Sequence, residues 1–438
     1  MPSRWRWRSS TDLPRVVDPP PVISRPSIPE LAEVIRRIEE KHRRRPPPRL
    51  QAPPLEELLG ATMEDTEHGR VLLVRRRFEL GHCHGHRPLG LARALPAAPL
   101  RLLARAEAAV PSAERLLYLD TETTGLAGGT GTYAFLVGVG FFHDGAFEIR
   151  QYFMRDLDEE PALLAAVDGL FRQFDGFVTY NGAGFDLPLL ETRFVLARRR
   201  WRENVFHVDL LRPARRLWSA RLADCRLGTV EHHVLGFRRE GDLPGALIPT
   251  AYFDYLRRKS PGELPRVFEH NRHDLLSLAV LTGWVAEAVA RAPVPGLHPE
   301  DQVGVGRLWE AVDAERAAAC YRLALAGGLG SPSREQLLLR LARHEKRLAR
   351  WDAAQALWEA AARTAARFDP RPWEEMAKAH EHRRRDLAAA RAVVEEALAI
   401  ACLHPVSERV RDAFEHRLGR LTRRLDEVAV SGTTRQPA

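Results

Sequence analysis

Cysteine is scarce in this sequence: Cys83, Cys225, Cys320 and Cys402 are scattered over 438 residues, and no two form a CxxC pair. That distribution suggests no disulfide framework and makes a reducing cytoplasm the expected compartment. Long apolar runs are missing too. No stretch of about eighteen uncharged apolar residues occurs, so no membrane span is expected. The N-terminal MPSRWRWRSSTDLPRVVDPPP is basic but lacks the apolar segment of a secretory signal. What is present is 45% apolar and 28% charged residues, enough for packed cores in a soluble chain of two or three domains. The net charge of +8 favours an anionic partner, and nucleic acid is the commonest one.

Composition divides the chain. Residues 1–55 are rich in Pro and Arg and read as disordered, with one short amphipathic helix from Ile28 to Lys41. Residues 56–112 hold a predicted strand (Arg70 to Arg75) and helix (Leu100 to Ala108) and read as a small appendage. From 113 to 291, strand and helix patterns alternate. LLYLDTE is an apolar run ending in acids, and YAFLVGVGFF and FEIRQYFM flank an HDG turn as a hairpin. Helix, strand and helix patterns follow through HVDLL, which argues for an α/β mixed sheet flanked by helices. A Pro-rich linker, Ala292 to Asp301, precedes an all-α tail over 302–405, and 406–438 read as a final helix and disordered end. In the tail a small–bulky–small spacing recurs at Ala317/Tyr321/Ala324, Ala354/Trp358/Ala361 and Ala390/Val394/Ala397, close to a tetratricopeptide (TPR) period.

The chemistry-bearing signals lie in the α/β unit. In YLDTETTG, Asp120 and Glu122 are one residue apart at a strand end and so point to one face. Two carboxylates this close repel unless cations lie between them, and hard divalent ions take oxygen ligands. In FVTYNGAGFDLPLL, Asp186 opens a helix just after a strand, where α/β sheets gather function. In EHNRHDLLSLAVL, His270 and Asp274 are four apart and share a helical face.

These three motifs, in this order, resemble those of the DEDD 3′–5′ exonucleases, and most of all the ribonuclease H-like domain proteins called YprB-like. The resemblance covers roughly residues 115–290. It implies two-metal hydrolysis of phosphodiesters with Mg²⁺ or Mn²⁺, held by Asp120, Glu122, Asp186 and Asp274. The family's tyrosine branch places Tyr four residues before the last Asp, and its histidine branch places His five before. Here His270 stands four before and Glu269 five before. The resemblance implies that His270 orients or deprotonates the attacking water, since imidazoles titrate near neutrality.

The expected protein is therefore a nuclease acting on single-stranded or frayed DNA or RNA, with the TPR-like tail binding a protein partner. A structure-specific endonuclease using the same acids, or a catalytically weak scaffold acting through its repeats, remain alternatives. Several other features carry weaker signals. The HCHGH tract (His82 to His86) resembles a metal-binding run, and Arg198–Arg200 and Arg238–Arg239 could line a phosphate track. Arg383–Arg385 and Arg420 to Arg424 could clamp nucleic acid, and Tyr180, Phe185 and Trp218 could stack on bases, although packing is the expected role.

Overall fold

A computed structural model describes residues 53–104, 109–125, 130–202 and 205–433, with side chains to residue 427. The expected disordered segment and its helix at Ile28 to Lys41 fall outside the described residues, except for 53–55. Among the described residues nine strands form: β1 (Thr62–Thr66), β2 (Gly69–Glu79), β3 (Cys83–His84), β4 (Arg87–Pro88), β5 (Leu116–Thr123), β6 (Ala134–His143), β7 (Ala146–Phe153), β8 (Gly176–Thr179) and β9 (Phe206–Asp209). Seven make one sheet in the order β1-β2-β7-β6-β5-β8-β9, and β3 and β4 make a separate hairpin. β5 runs antiparallel to β6 and parallel to β8, and β8 is parallel to β9, so the sheet is mixed.

The expected hairpin is β6–β7. Asp144 and Gly145, both at positive φ (46° and 73°), turn the chain between His143 and Ala146. Positive φ at both central positions gives the turn whose twist matches the strands it joins. β5 is apolar at successive positions because helices cover both sheet faces. Leu116 and Tyr118 enter a core with Leu275, Leu278 and Val285 of the helix Leu264–Ala290. Leu117 and Leu119 enter the opposite core, with Leu163 and Phe171 of the helix Glu160–Phe171 and Leu190 and Phe194 of the helix Asp186–Leu196.

The helix Leu264–Ala290 has the length and mean hydropathy to cross a membrane, unlike the expectation from uncharged runs alone. Its few polar residues interrupt any run but scarcely lower the mean, and 83% of its most apolar window is buried inside the protein. It is a core helix. Its approach to β6 is close: a Cβ on Gly138 would lie 2.0 Å from Asn271 Oδ1, so glycine is required there.

Residues 56–112 are not an appendage. β2 pairs with β7 from Leu72↔Phe153 to Glu79↔Ala146 and β1 extends the same sheet, so this segment supplies its edge. Sequence patterning marks a strand but not its partner, and the partner lies more than sixty residues on in β7.

The tail is helical: Pro299–Trp309, Ala314–Ala326, Ser333–Arg347, Trp351–Thr364, Pro370–Lys378, Leu387–Ala401 and Glu408–Thr433. All nine residues of the recurrent small–bulky–small spacing are buried. The linker does not mark a break in packing. Val303, Val305, Leu308 and Trp309 share a core with Leu217, Trp218, Trp284 and Val289. Trp309 Nε1 donates to the Val289 carbonyl at 3.1 Å, and Arg221 grips Asp301 through two hydrogen bonds of 2.7 and 2.9 Å. Prolines fix the path of this connection, but the helices beyond it pack straight back onto the sheet domain.

Trp309→Ala is expected to lower the stability of the sheet domain together with the tail by about 3–5 kcal/mol, as for other buried tryptophans. Chemical denaturation followed by tail and sheet probes should give one shared, shifted transition. An unmoved sheet-domain midpoint would show that the two parts are independent.

Candidate active site

The strand end of β5 delivers Asp120 and Glu122 to the sheet face that the helix Leu264–Ala290 crosses. β8 ends in a tight turn in which Asn181 adopts a left-handed backbone (φ 65°), and the chain then enters the helix Asp186–Leu196. Asp209, at the end of β9, holds that turn: its carboxylate accepts from the N–H of Asn181 (2.7 Å), Ala183 (3.2 Å) and Leu211 (3.1 Å). Asp209 thus determines where Asp186 starts. The three motifs meet at one cavity of about 560 Å³ whose lining includes Asp120, Glu122, Asp186, His270 and Asp274.

Each acid is held differently. Asp120 Oδ2 accepts from Asn271 Nδ2 at 2.8 Å. Asn271 Oδ1 in turn accepts from Gln151 Nε2 at 2.8 Å, and the same amide donates to the Phe268 carbonyl at 2.8 Å. Asp186 Oδ1 accepts from the N–H (3.1 Å) and hydroxyl (2.6 Å) of Thr121, the residue between the two β5 acids. Asp274 Oδ1 accepts from the Arg239 guanidinium, which also makes two hydrogen bonds of 2.6 and 2.8 Å to buried Glu231. Glu122 differs. It is 9% exposed, and its Oε1 is buried with no hydrogen-bond partner among the described residues.

The electrostatics follow from this crowding. Burial, and then the charges of Asp274, Glu122 and Asp186, hold the Asp120 carboxyl well above the usual carboxylate range. Burial, Asp274 and Asp186 do the same to Glu122. Burial pushes Asp186 up to about 6 against the pull of its Thr121 hydrogen bonds. Burial opposes the charge on Arg239, but Asp274 and Glu231 outweigh it and keep the guanidinium charged.

His270 joins the cluster. Its Nε2 lies 3.6 Å from Asp274 Oδ2, and one ligand atom from each of Glu122, His270 and Asp274 falls within 4.8 Å of the others. Its Nδ1 lies 2.8 Å from Asp242 Oδ1. Buried, mutually repelling carboxylates with one unpartnered oxygen suit a divalent cation, and the residues present fit such an ion.

Sequence reasoning missed Asn271, Gln151, Asp242 and the role of Arg239. Asn271 was visible as a polar residue beside Asp274 on the otherwise apolar stripe Leu264, Val267, Asn271, Asp274, Leu275, Leu278. Gln151 shares the period-two face of Phe147, Ile149 and Phe153. Arg239 and Asp242 carry no such signal, because the loop that brings them in is irregular.

The other features separate cleanly. Arg239 is a partly buried ion-pair partner rather than part of a phosphate track, and Arg199 pairs with Asp168 and Glu67 at 3.1 and 3.2 Å. Of the HCHGH histidines only His84 is buried, and its Nε2 lies 2.7 Å from Ser277 Oγ. Among the described residues no three metal-ligating side chains gather at that tract. Arg417, Arg420 and Arg424 pair with Glu381, which is fully buried, and Arg384 pairs with Asp352. Trp218 is core, Tyr180 donates to the Cys225 carbonyl at 2.5 Å, and Phe185 is 57% exposed at the cavity.

A mixed sheet flanked by helices, with acids converging from β5, the helix after β8 and the crossing helix, defines a ribonuclease H-like protein. Residues 117–286 match the RNase H superfamily. The chain is also 32% identical over 318 residues to the uncharacterized protein YprB of Bacillus subtilis (strain 168), an alignment covering 70% of this chain and 75% of that protein. The chain belongs to the same family as that protein, and its residues 117–286 form an RNase H superfamily domain.

The folded protein binds the Asp186 proton more tightly (about 6) than an ordinary carboxylate does (3.8). This contribution therefore favours the folded state at acid pH and is lost as pH rises through about 6. In chelator, the thermal midpoint of wild type relative to Asp186→Asn should fall as pH rises from about 4 to about 6, the interval between the ordinary and shifted values. A saturating divalent cation should raise wild type more than the variant. Parallel pH profiles in chelator would remove Asp186 from the repelling cluster.

Proposed function

We propose that this protein is a metal-dependent nuclease that hydrolyses phosphodiester bonds at the 3′ end of single-stranded or frayed nucleic acid. The observation that supports this most directly is the convergence of Asp120, Glu122, Asp186 and Asp274 on one cavity, with a buried and unpartnered oxygen on Glu122. These four carboxylates would hold the divalent ions, Mg²⁺ or Mn²⁺. Ions bound there supply an activated water and screen charge on the attacked phosphate and the leaving oxygen.

The chain's own residues do the rest. Asn271 and Thr121 fix the directions of Asp120 and Asp186 with hydrogen bonds that require no charge. Arg239 holds one oxygen of Asp274, leaving the other facing His270. Phe185, exposed at the cavity mouth, offers a face on which an unpaired base can stack, which favours an unpaired strand end over a duplex. End-directed cleavage rests on the order and spacing of the three motifs. The C-terminal helices, recurring at TPR-like spacing, belong in this reading to protein recognition. Their Arg420 and Arg424 are already paired with Glu381, which argues against a nucleic-acid clamp.

Digestion of oligonucleotides labelled at either end, with Mg²⁺ or Mn²⁺, tests the reading. Wild type should shorten chains stepwise from the 3′ end, and Asp120→Asn or Asp186→Asn should lose at least about a hundredfold in rate. Internal cuts would replace this reading with an endonuclease, and no cleavage of DNA or RNA would favour a scaffold. In the same assays, Phe185→Ala should weaken binding of single-stranded oligonucleotides by about 1–3 kcal/mol without moving the thermal midpoint. Unchanged binding would remove Phe185 from the substrate path.

A further inference from the structure

The carboxylates alone describe an all-oxygen site, but the geometry adds a nitrogen. We infer that His270 is a metal ligand through Nε2, completing a Glu122–His270–Asp274 position that prefers a transition-metal ion such as Mn²⁺ over Mg²⁺. The inference rests on the nuclease reading above and specifies the chemistry of the same site.

Three observations carry it. Ligand atoms of Glu122, His270 and Asp274 lie within 4.8 Å of one another, close enough for one ion to reach all three. Glu122 Oε1 is buried and unpartnered beside them, which is costly for a carboxylate unless something satisfies it. The third observation fixes the imidazole. Asp242 Oδ1 lies 2.8 Å from His270 Nδ1, and a carboxylate oxygen accepts, so Nδ1 carries the hydrogen and Nε2 presents its lone pair. Arg239 Nη1 is also near Nδ1, at 3.3 Å, but it cannot accept that proton and is more distant than Asp242. A histidine whose second ring nitrogen donates to a carboxylate is the usual arrangement of a metal-bound imidazole.

Asp274 is arranged to match. Arg239 takes Oδ1, so Oδ2 is the oxygen facing His270 Nε2, at 3.6 Å. Asp274 can therefore offer one oxygen while the other stays fixed. Imidazole nitrogen suits first-row transition ions, whereas Mg²⁺ favours carboxylate, carbonyl and water oxygens. In this arrangement His270 lends its lone pair to the ion and is not free to take a proton from water. Asp242 acts as a positioning residue.

The test uses the full chain with Mn²⁺ alone, without nucleic acid. Electron spin-echo modulation should show directly coordinated nitrogen in wild type. His270→Gln and His270→Asp should lose that signal while Mn²⁺ still binds through the carboxylates. Wild type should bind Mn²⁺ more tightly than Mg²⁺ by roughly tenfold or more, and His270→Asp, which restores an oxygen donor, should narrow that gap. Asp242→Ala should weaken Mn²⁺ binding by about 10- to 100-fold. Bound Mn²⁺ without nitrogen modulation in a wild-type protein that cleaves would overturn this inference and leave the nuclease reading standing. Nitrogen modulation that persists in both His270 variants would place the ion on another histidine and overturn it equally. A wild-type chain that binds no Mn²⁺ and cleaves with no ion would overturn both.

Discussion

Carboxylates gathered away from water raise one another's energy, and burial adds to that cost because the charged form loses its hydration. Asp120, Glu122 and Asp186 all show it, each displaced upward from ordinary carboxylate behaviour. The surrounding structure holds the acids together despite this repulsion. β5 is clamped between β6 and β8, and apolar side chains lock both of its faces. Three polar contacts of different kinds then fix the acids: an amide on Asp120, a hydroxyl and N–H on Asp186, and a guanidinium on Asp274. Glu122 is left over, with an oxygen that nothing among the described residues satisfies.

The supports have their own supports. Asn271 can reach Asp120 only because Gly138 has no side chain, and its orientation is fixed by Gln151. Arg239 is one link in a buried chain that runs from His84 through Ser277 and Glu231 to Asp274. The HCHGH tract, which looks in sequence like a metal site, thus contributes a packed histidine at the far end of a network that ends on an acid. Burial drives His84 down to about 3, so it takes part as a neutral ring. Removing a middle member such as Glu231 would leave the partly buried Arg239 with less to neutralise it.

Much of this was legible in the sequence, and the part that was not has a common cause. The β6–β7 hairpin was visible because alternation and an Asp-Gly turn are local signals. The four acids were visible because Asp120 and Glu122 lie near a strand end, Asp186 begins a helix and Asp274 shares a helical face with His270, in three motifs that resemble known ones. Asn271 and Gln151 left a fainter trace, as polar residues on largely apolar stripes. Long-range facts left none. The pairing of β2 with β7, the approach of Arg239 and Asp242 to the cavity, and the packing of Trp309 onto Val289 all join segments that are distant in sequence. Proline in Ala292 to Asp301 suggested a linker, but proline constrains backbone direction and says nothing of what the next helix packs against. The Arg-rich stretches misled similarly, since a charge run does not reveal whether Glu381 or Asp168 lies opposite it.

The union of the first tail helices with the sheet domain carries a mechanical meaning. Val289, whose carbonyl receives the Trp309 indole, lies on the same helix as His270 and Asp274. Force or binding applied to the helices beyond Pro299 is therefore transmitted through close-packed side chains to the rod that carries two of the acidic site's residues. Such a tail cannot serve merely as a tether. A partner gripping it would hold the helix that carries His270 and Asp274 by its far end.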